Sequence, residues 1–363
     1  MTNPETRWKI YDSNEEAWEA MIADCARAEK SIVLETFIFV MDDFGKRLID
    51  ICAERAAVGV SVRFLWDAWG SFSFFGSTIV EDLKKKGIEL IFWKTIIPSY
   101  HKVPNVRSWF FRNHRRTLVI DEKIGYTGSM CVDDRMKNWR DTNLRIEGRV
   151  VTDMKNAFNR MWARALDQKP KKPLSKHTYG RHYEFRYITN YPVPGRRHLY
   201  NDLIDTIRHA HKYIYMTTPY LVPTRRLSRV LRLAAHRGVD VKIIMPEVSN
   251  HPFIDLAART FFSSMLSSGI KIFLYKGENI HGKTAVIDGD WASVGTMNMD
   301  GISLLYNFEA NIVSTSGKFA EEMAAHFVHD LQKTKEISLS EWEKRSFLQK
   351  WLEFPARLVR KFL

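Results

Sequence analysis

The chain has 363 residues and a net charge of +13, from 55 basic and 42 acidic side chains. That length accommodates two domains with full cores, and 45% hydrophobic with 27% charged residues is ordinary globular composition. Three scattered cysteines, Cys25, Cys52 and Cys131, exclude a disulfide framework or a zinc site, and no run reaches the ~20 apolar residues of a membrane-spanning helix.

The basic excess favours polyanions, either nucleic acid or an anionic membrane surface. Free cysteines suggest a reducing compartment. Residues 1–9 are polar and read as carrying no signal peptide. Membrane contact is therefore expected to be peripheral.

In chain order, residues 14–29 carry a helical pattern, with Asn14 as N-cap and Trp18, Met21, Ile22 and Cys25 on one stripe. Residues 31–40 read as a buried strand containing Glu35. A helix over 45–58 and a strand over 59–66 follow, which indicates an α/β fold. Residues 69–77 form a small and aromatic loop. A helix over 79–86, ending in a solvated Lys84-Lys85-Lys86 run, and a strand over 88–93 lead on.

Two related motifs come next. His114, Arg116 and Asp121 stand in an H-x-R-x4-D pattern, followed by Gly128-Ser129-Met130-Cys131. His281, Lys283 and Asp288 stand in H-x-K-x4-D, followed by Gly295-Thr296-Met297-Asn298. The spacings agree in both copies. Alternation in the second copy reads as a strand with His281 and Lys283 on one face. Asp288-Gly289 is a hairpin signal, and residues 291–295 return as the partner strand. The duplication extends further. Ala28, Lys30, Ile32 and Thr36 match Ala210, Lys212, Ile214 and Thr218, and an acid follows each motif, Asp141 and Glu309.

The paired motifs resemble those of the phospholipase D superfamily. Asn113-His114-Arg115, Trp139-Arg140-Asp141-Thr142, Thr218-Pro219-Tyr220 and Asn307-Phe308-Glu309 narrow the resemblance to bacterial cardiolipin synthases. It implies two homologous phospholipase D-like α/β halves, residues 1–167 and 183–335, with a shared active site at their interface. A Lys- and Pro-rich linker, 168–182, joins them. Residues 336–363 read as an amphipathic tail, suited to packing on the core or to lying in a lipid interface.

By this resemblance one histidine attacks phosphorus and the other serves as acid and then base. Sequence does not say which is which. Arg116 and Lys283 would neutralise the phosphoryl oxygens. Ser129, Thr296 and Asn298 would donate hydrogen bonds to the same oxygens. Asp141 and Glu309 would orient the imidazoles, and Asp121 and Asp288 would brace strand ends near the site. The first copy departs twice: Arg116 replaces the usual Lys, and Cys131 replaces Asn. No H-E-x-x-H, Asp/Glu cluster or C-x-x-C is present, so no metal or other cofactor is expected.

The implied activity is cardiolipin synthesis: phosphatidyl transfer between two phosphatidylglycerol molecules, with glycerol released. A hydrolase or nuclease of the same superfamily is the alternative within the enzymes. A non-catalytic lipid- or nucleic-acid-binding protein is the alternative outside them. Apolar loops at 72–75, 96–100 and 109–111, with a further stretch at 261–266, favour lipid over nucleic acid. The expected partners are phosphatidylglycerol and an anionic membrane surface, on the cytoplasmic side of the cell membrane. Oligomeric state is left open.

Overall fold

A computed structural model describes residues 6–93, 111–168, 183–277, 279–346 and 355. The expected loop 96–100, nearly all of the linker and most of the C-terminal tail lie outside the described residues.

The first half builds a seven-stranded sheet. Its strands are β1 (Arg7–Ser13), β2 (Ser31–Thr36), β3 (Ser61–Asp67), β4 (Ile88–Trp93), β5 (Thr117–Ile120), β6 (Ile124–Gly128) and β7 (Arg140–Glu147). The second half supplies β8 (Phe185–Asn190), β9 (Tyr213–Thr217), β10 (Leu221–Val222), β11 (Asp240–Pro246), β12 (Lys271–Tyr275), β13 (Thr284–Ile287), β14 (Trp291–Gly295), β15 (Met299–Asp300), β16 (Glu309–Ser314) and β17 (Thr334–Glu336). Sheet order is β1-β7-β6-β5-β2-β3-β4 in one half and β8-β16-β14-β13-β9-β11-β12 in the other, where β17 adds an edge. The two orders correspond strand for strand, so the sequence duplication is a duplication of topology.

In each half three adjacent strands run parallel, β2-β3-β4 and β9-β11-β12, and are rich in apolar residues. Helices α1 (Asn14–Ala26), α2 (Asp43–Ala57), α3 (Ile79–Lys85) and α4 (Val150–Ala165) accompany the first sheet. Helices α5 (His198–Arg208), α6 (Arg225–His236), α7 (Pro252–Leu266), α8 (Gly301–Leu305), α9 (Gly317–Leu331) and α10 (Leu339–Glu343) accompany the second. One buried cluster takes Val33, Val119 and Leu144 from the first half and Val286, Val294 and Ile312 from the second. The halves therefore share a core.

Some local expectations change. Ser13, not Asn14, caps α1, its hydroxyl accepting from the Glu16 amide at 3.4 Å. Asn14 is buried and donates to the Met136 carbonyl at 2.7 Å. β2 ends at Thr36 rather than at Val40, because Thr36 Oγ1 donates to the Ile38 carbonyl at 3.0 Å and turns the chain. The stretch 261–266 lies in α7, with Phe262 and Met265 in the core. The tail begins inside the fold: Trp342 of α10 packs on Phe262, ring centroids 4.8 Å apart.

Asp121 and Asp288 occupy the hairpin turns with φ of 53° and 58°, and Glu122 and Gly289 follow at 57° and 82°. Each carboxylate accepts three backbone amides across the sheet. Asp121 takes Glu29, Lys30 and Ser31 at 2.7–2.8 Å, and Asp288 takes His211, Lys212 and Tyr213 at 2.7–2.9 Å. These are the amino-terminal ends of β2 and β9. The histidine ends lie a four-residue strand away, roughly 13 Å. The expected bracing of strand ends thus occurs at the end of the sheet opposite the histidines. Asp288→Ala is expected to cost about 1–2 kcal/mol of stability, since three backbone amides, two of them exposed, lose their common charged acceptor. Thermal melting would read that loss, while turnover per folded molecule stays near wild type.

Candidate active site

The motif histidines and their basic partners sit just before β5 and β13, not inside them. Because β5 pairs antiparallel to β2, and β13 to β9, these segments lie at the carboxyl ends of the parallel strands. That end of an open α/β sheet is where ligands bind.

Alternation still directs the side chains. In the first copy His114 and Arg116 face one way and Arg115 the other, into the core. Arg115 is fully buried and donates to Glu35 Oε2 at 2.8 Å, while Asn113 Nδ2 donates to Oε1 at 2.7 Å. Asp67, at the end of β3, accepts Arg112 Nη2 at 2.6 Å and the Asn113 amide at 2.8 Å. Arg112 and Asn113 before His114, and Arg115 after it, are thus pinned. In the second copy Gly282 takes the place of Arg115. A Cβ there would meet Thr142 Oγ1 at 2.9 Å, so a glycine permits the close approach.

The halves are stitched by backbone at this point. His114 N donates to the Phe308 carbonyl at 3.0 Å and Phe308 N to the Arg112 carbonyl at 2.9 Å. His281 N donates to the Arg140 carbonyl at 2.8 Å and Arg140 N to the Asn279 carbonyl at 3.0 Å. Each histidine segment therefore pairs with the residue preceding the other half's acid. The acids cross over as a result. Glu309 Oε1 and Oε2 lie 2.9 and 3.1 Å from His114 Nδ1, and Asp141 Oδ2 lies 3.3 Å from His281 Nδ1.

Cations meet the other ring nitrogens. Arg116 Nη2 is 3.0 Å from His114 Nε2, and Lys283 Nζ is 3.0 Å from His281 Nε2. A proton on Nδ1, held toward the acid, leaves each Nε2 with its lone pair directed at the cationic space between the halves. Aromatic edges flank the rings: Phe37 stands 5.0 Å from His114 and Trp139 5.2 Å from His281.

Ser129 and Thr296 were expected on phosphate oxygens. Here each hydroxyl donates to an acid, Ser129 Oγ to Asp141 and Thr296 Oγ1 to Glu309 at 2.5 Å. They are positioned to orient the carboxylates. Asn298 contributes a hydrogen bond to Asp300, and its Oδ1 has no hydrogen-bond partner among the described residues. Asp300 was not singled out from sequence. Burial lifts its carboxyl to about 6, against the Ser303 amide and Asn298.

The basic cluster shapes the protonation states. Burial drives His114 well below its ordinary value, and Arg116 and Lys283 push it further. Burial and Lys283 bring His281 down to about 4, against Asp141. Burial and Arg116 bring Lys283 down to about 7. The acids diverge: burial would raise Asp141, but His281, Lys283 and Ser129 together hold it low, whereas burial carries Glu309 well up. A bound anion reverses the repulsion among these cations. Affinity for a non-titrating oxyanion should therefore weaken as pH rises through about 7, where Lys283 sheds its proton. Sulfate inhibition measured from pH 6 to 9 would show a decline of up to about tenfold per unit. Lys283→Arg should remove that decline.

The two departures in the first copy touch each other. Arg116 Nε donates to Cys131 Sγ at 3.1 Å, and Arg116 Nη1 to the His114 carbonyl at 2.8 Å. A thiol leaves room for a guanidinium; the corresponding positions of the second copy are Lys283 and Asn298. Arg116→Lys and Cys131→Asn are expected to be costly singly and to compensate together. A double-mutant cycle on kcat/KM should give a coupling of about 1–2 kcal/mol.

A family model described as "Cardiolipin synthase, PLD-like domain" matches residues 21–162 and 203–331. A cardiolipin synthase of Clostridium perfringens is 32% identical over 364 residues, covering 96% of this chain and 75% of that protein. One from Listeria welshimeri is 31% identical over 367 residues, covering 98% and 75%. Among solved structures, phosphatidylserine synthase of Haemophilus influenzae Rd KW20 superposes with a TM-score of 0.74 over 98% of this chain and 95% of that one, at 14% identity. The last likeness shows the fold alone. The chain belongs to the phospholipase D superfamily, within the family described as cardiolipin synthase, PLD-like. It is an enzyme, a transferase of the phospholipase D type.

Proposed function

We propose that this enzyme makes cardiolipin, moving a phosphatidyl group from one phosphatidylglycerol to the terminal hydroxyl of another. The observation that carries the reading is the pair of histidines, each held at Nδ1 by an acid of the opposite half and each presenting Nε2 beside a cation. Relatives named cardiolipin synthase over nearly the whole chain supply the substrate class.

In the first step Nε2 of one histidine attacks phosphorus. The bond to the glycerol oxygen breaks, and the second histidine, protonated, gives that oxygen its proton. A phosphatidyl-histidine remains. The second histidine, now neutral, takes the proton from the hydroxyl of an incoming phosphatidylglycerol, whose oxygen displaces the first histidine and yields cardiolipin. Arg116 and Lys283 balance charge on the equatorial oxygens. Asp141 and Glu309 fix the tautomers and are themselves oriented by Ser129 and Thr296. Every group named belongs to the chain, so the reaction is proposed to run without a cofactor.

No helix among the described residues is long and apolar enough to cross a membrane. We place the enzyme peripherally, on the cytoplasmic side of the cell membrane, where +13 net charge suits two anionic lipid substrates. Incubation with phosphatidylglycerol in mixed micelles, with chelator present, should yield cardiolipin and free glycerol in equal amounts. Phosphatidic acid instead would make water the acceptor and the protein a hydrolase. Cleavage of single-stranded DNA or RNA with no lipid product would sink the lipid reading.

A further inference from the structure

The loop that follows β3 presents three aromatic side chains to solvent. Trp69, Phe72 and Phe75 are 54%, 53% and 55% exposed, and the rings of Phe72 and Phe75 stack at 5.3 Å. Single exposed apolar residues need no explanation, but a contiguous group does. The loop that carries this group is anchored on both sides of Phe72. Phe74, between the exposed pair, turns inward onto Trp66 at 5.2 Å. Ser71 Oγ donates to the Phe37 carbonyl at 3.2 Å and accepts from the Phe39 amide at 3.0 Å. Phe37 is the ring that stands edge-on to His114. The aromatic loop is thus braced on the wall of the active site.

The duplicated fold supplies an independent second observation. β11 is the counterpart of β3, and the loop after it together with the first turn of α7 also exposes large apolar side chains, Val248 at 68% and Phe253 at 47%. This loop is tied to the site as well. Tyr220 OH donates to Asn250 Oδ1 at 2.6 Å, its ring lies 5.5 Å from His251, and the Arg116 charge acts on it. Both loops leave the carboxyl ends of parallel strands, the end that carries the histidines. Charge at this end agrees with the apolar groups. α6 begins after β10, which pairs with β15 beside Asn298, and its first residues, Arg225 and Arg226, are exposed.

We infer that these two loops are apolar prongs that seat the enzyme, active-site end down, on the surface of an anionic phospholipid bilayer. The inference rests on the lipid-substrate reading and adds where the bilayer lies. Aromatic side chains suit the boundary between headgroups and acyl chains, and arginines at the same level meet lipid phosphates. Seated so, the cleft faces headgroups while acyl chains stay in the membrane.

The test uses the full chain with Phe72→Ser/Phe75→Ser and, separately, Val248→Ser/Phe253→Ser. All four positions are solvent-facing, so folding should be retained and is checked by thermal melting. Flotation with vesicles of phosphatidylglycerol and phosphatidylcholine should show each pair weakening partition by about tenfold or more. Turnover on vesicles should fall in step, while turnover of monomeric short-chain phosphatidylglycerol is kept. Phe72→Trp with Phe75→Trp should restore partition. Partition equal to wild type in both serine pairs, or equal losses on vesicles and on monomeric lipid, would overturn the seating. Failure of the wild type to turn over any lipid, with partition still dependent on the prongs, would instead sink the substrate reading and leave the seating standing.

Discussion

His281→Ala and His114→Ala should each lower cardiolipin formation by about 10⁴-fold or more, with melting temperature near that of the wild type. Neither ring is a folding element: His114 is partly open, and His281 faces the cationic space between the halves. Both variants fail for different reasons. One lacks the atom that bonds phosphorus and never forms the covalent enzyme. The other forms it slowly, because the leaving glycerol oxygen lacks a proton donor, and then cannot activate the acceptor. The double variant should be no worse than the poorer single one, since the two residues act as a unit. Steady-state rates with labelled phosphatidylglycerol would check all three. A loss of tenfold or less in either single variant would mean that its histidine is outside the chemistry.

The second large effect is expected at the acids, and it crosses the domain boundary. Glu309→Gln keeps size but replaces the acceptor-only carboxylate that holds the Nδ1 proton of His114, a residue of the other half, with an uncharged amide that can also donate to Nδ1. Asp141→Asn does the same to His281. An amide in place of the acid can stabilise the wrong tautomer, with losses of the order of 10²–10⁴ in kcat and little change in KM. The bonding pattern adds a sharper prediction. Combining Glu309→Gln with His114→Ala should cost nothing further, whereas combining it with His281→Ala should not be buffered in the same way. Kinetic cycles read that difference directly. If Glu309 instead coupled to His281, the crossed arrangement would be wrong.

The motifs themselves were legible because short spacing carries them. Two in-phase copies, a hairpin after each and matching residues upstream were enough to expect two α/β halves, and the two sheets have the same strand order. What sequence concealed were the long-range pairings. The crossing of Asp141 and Glu309 depends on backbone bonds between residues 112–114 and 308, and between 279–281 and 140. No local pattern encodes these. The same holds for Asp67 gripping Arg112 and for Glu35 gripping Arg115, contacts 45 and 80 residues apart. Ser129 and Thr296 looked like phosphate donors because each stands near a histidine in sequence; the nearest acceptor in space is an acid. Arg116 and Cys131 read as two separate departures. Their contact at 3.1 Å makes them one rearrangement. The end of β2 was overrun for a related reason, since Phe37 to Val40 is as apolar as a strand but leaves the sheet to wall the site.

The most direct test of the account is to trap the covalent intermediate. Wild-type enzyme, mixed briefly with phosphatidylglycerol labelled in its phosphate and then denatured in alkali, should carry label on a single histidine. Peptide mapping should place it at His114 or His281. Alanine at that position should abolish the label, while alanine at the other should leave it slow to form and slower to discharge. Label on neither histidine, or labelling that survives loss of both, would contradict a two-histidine site shared between the halves.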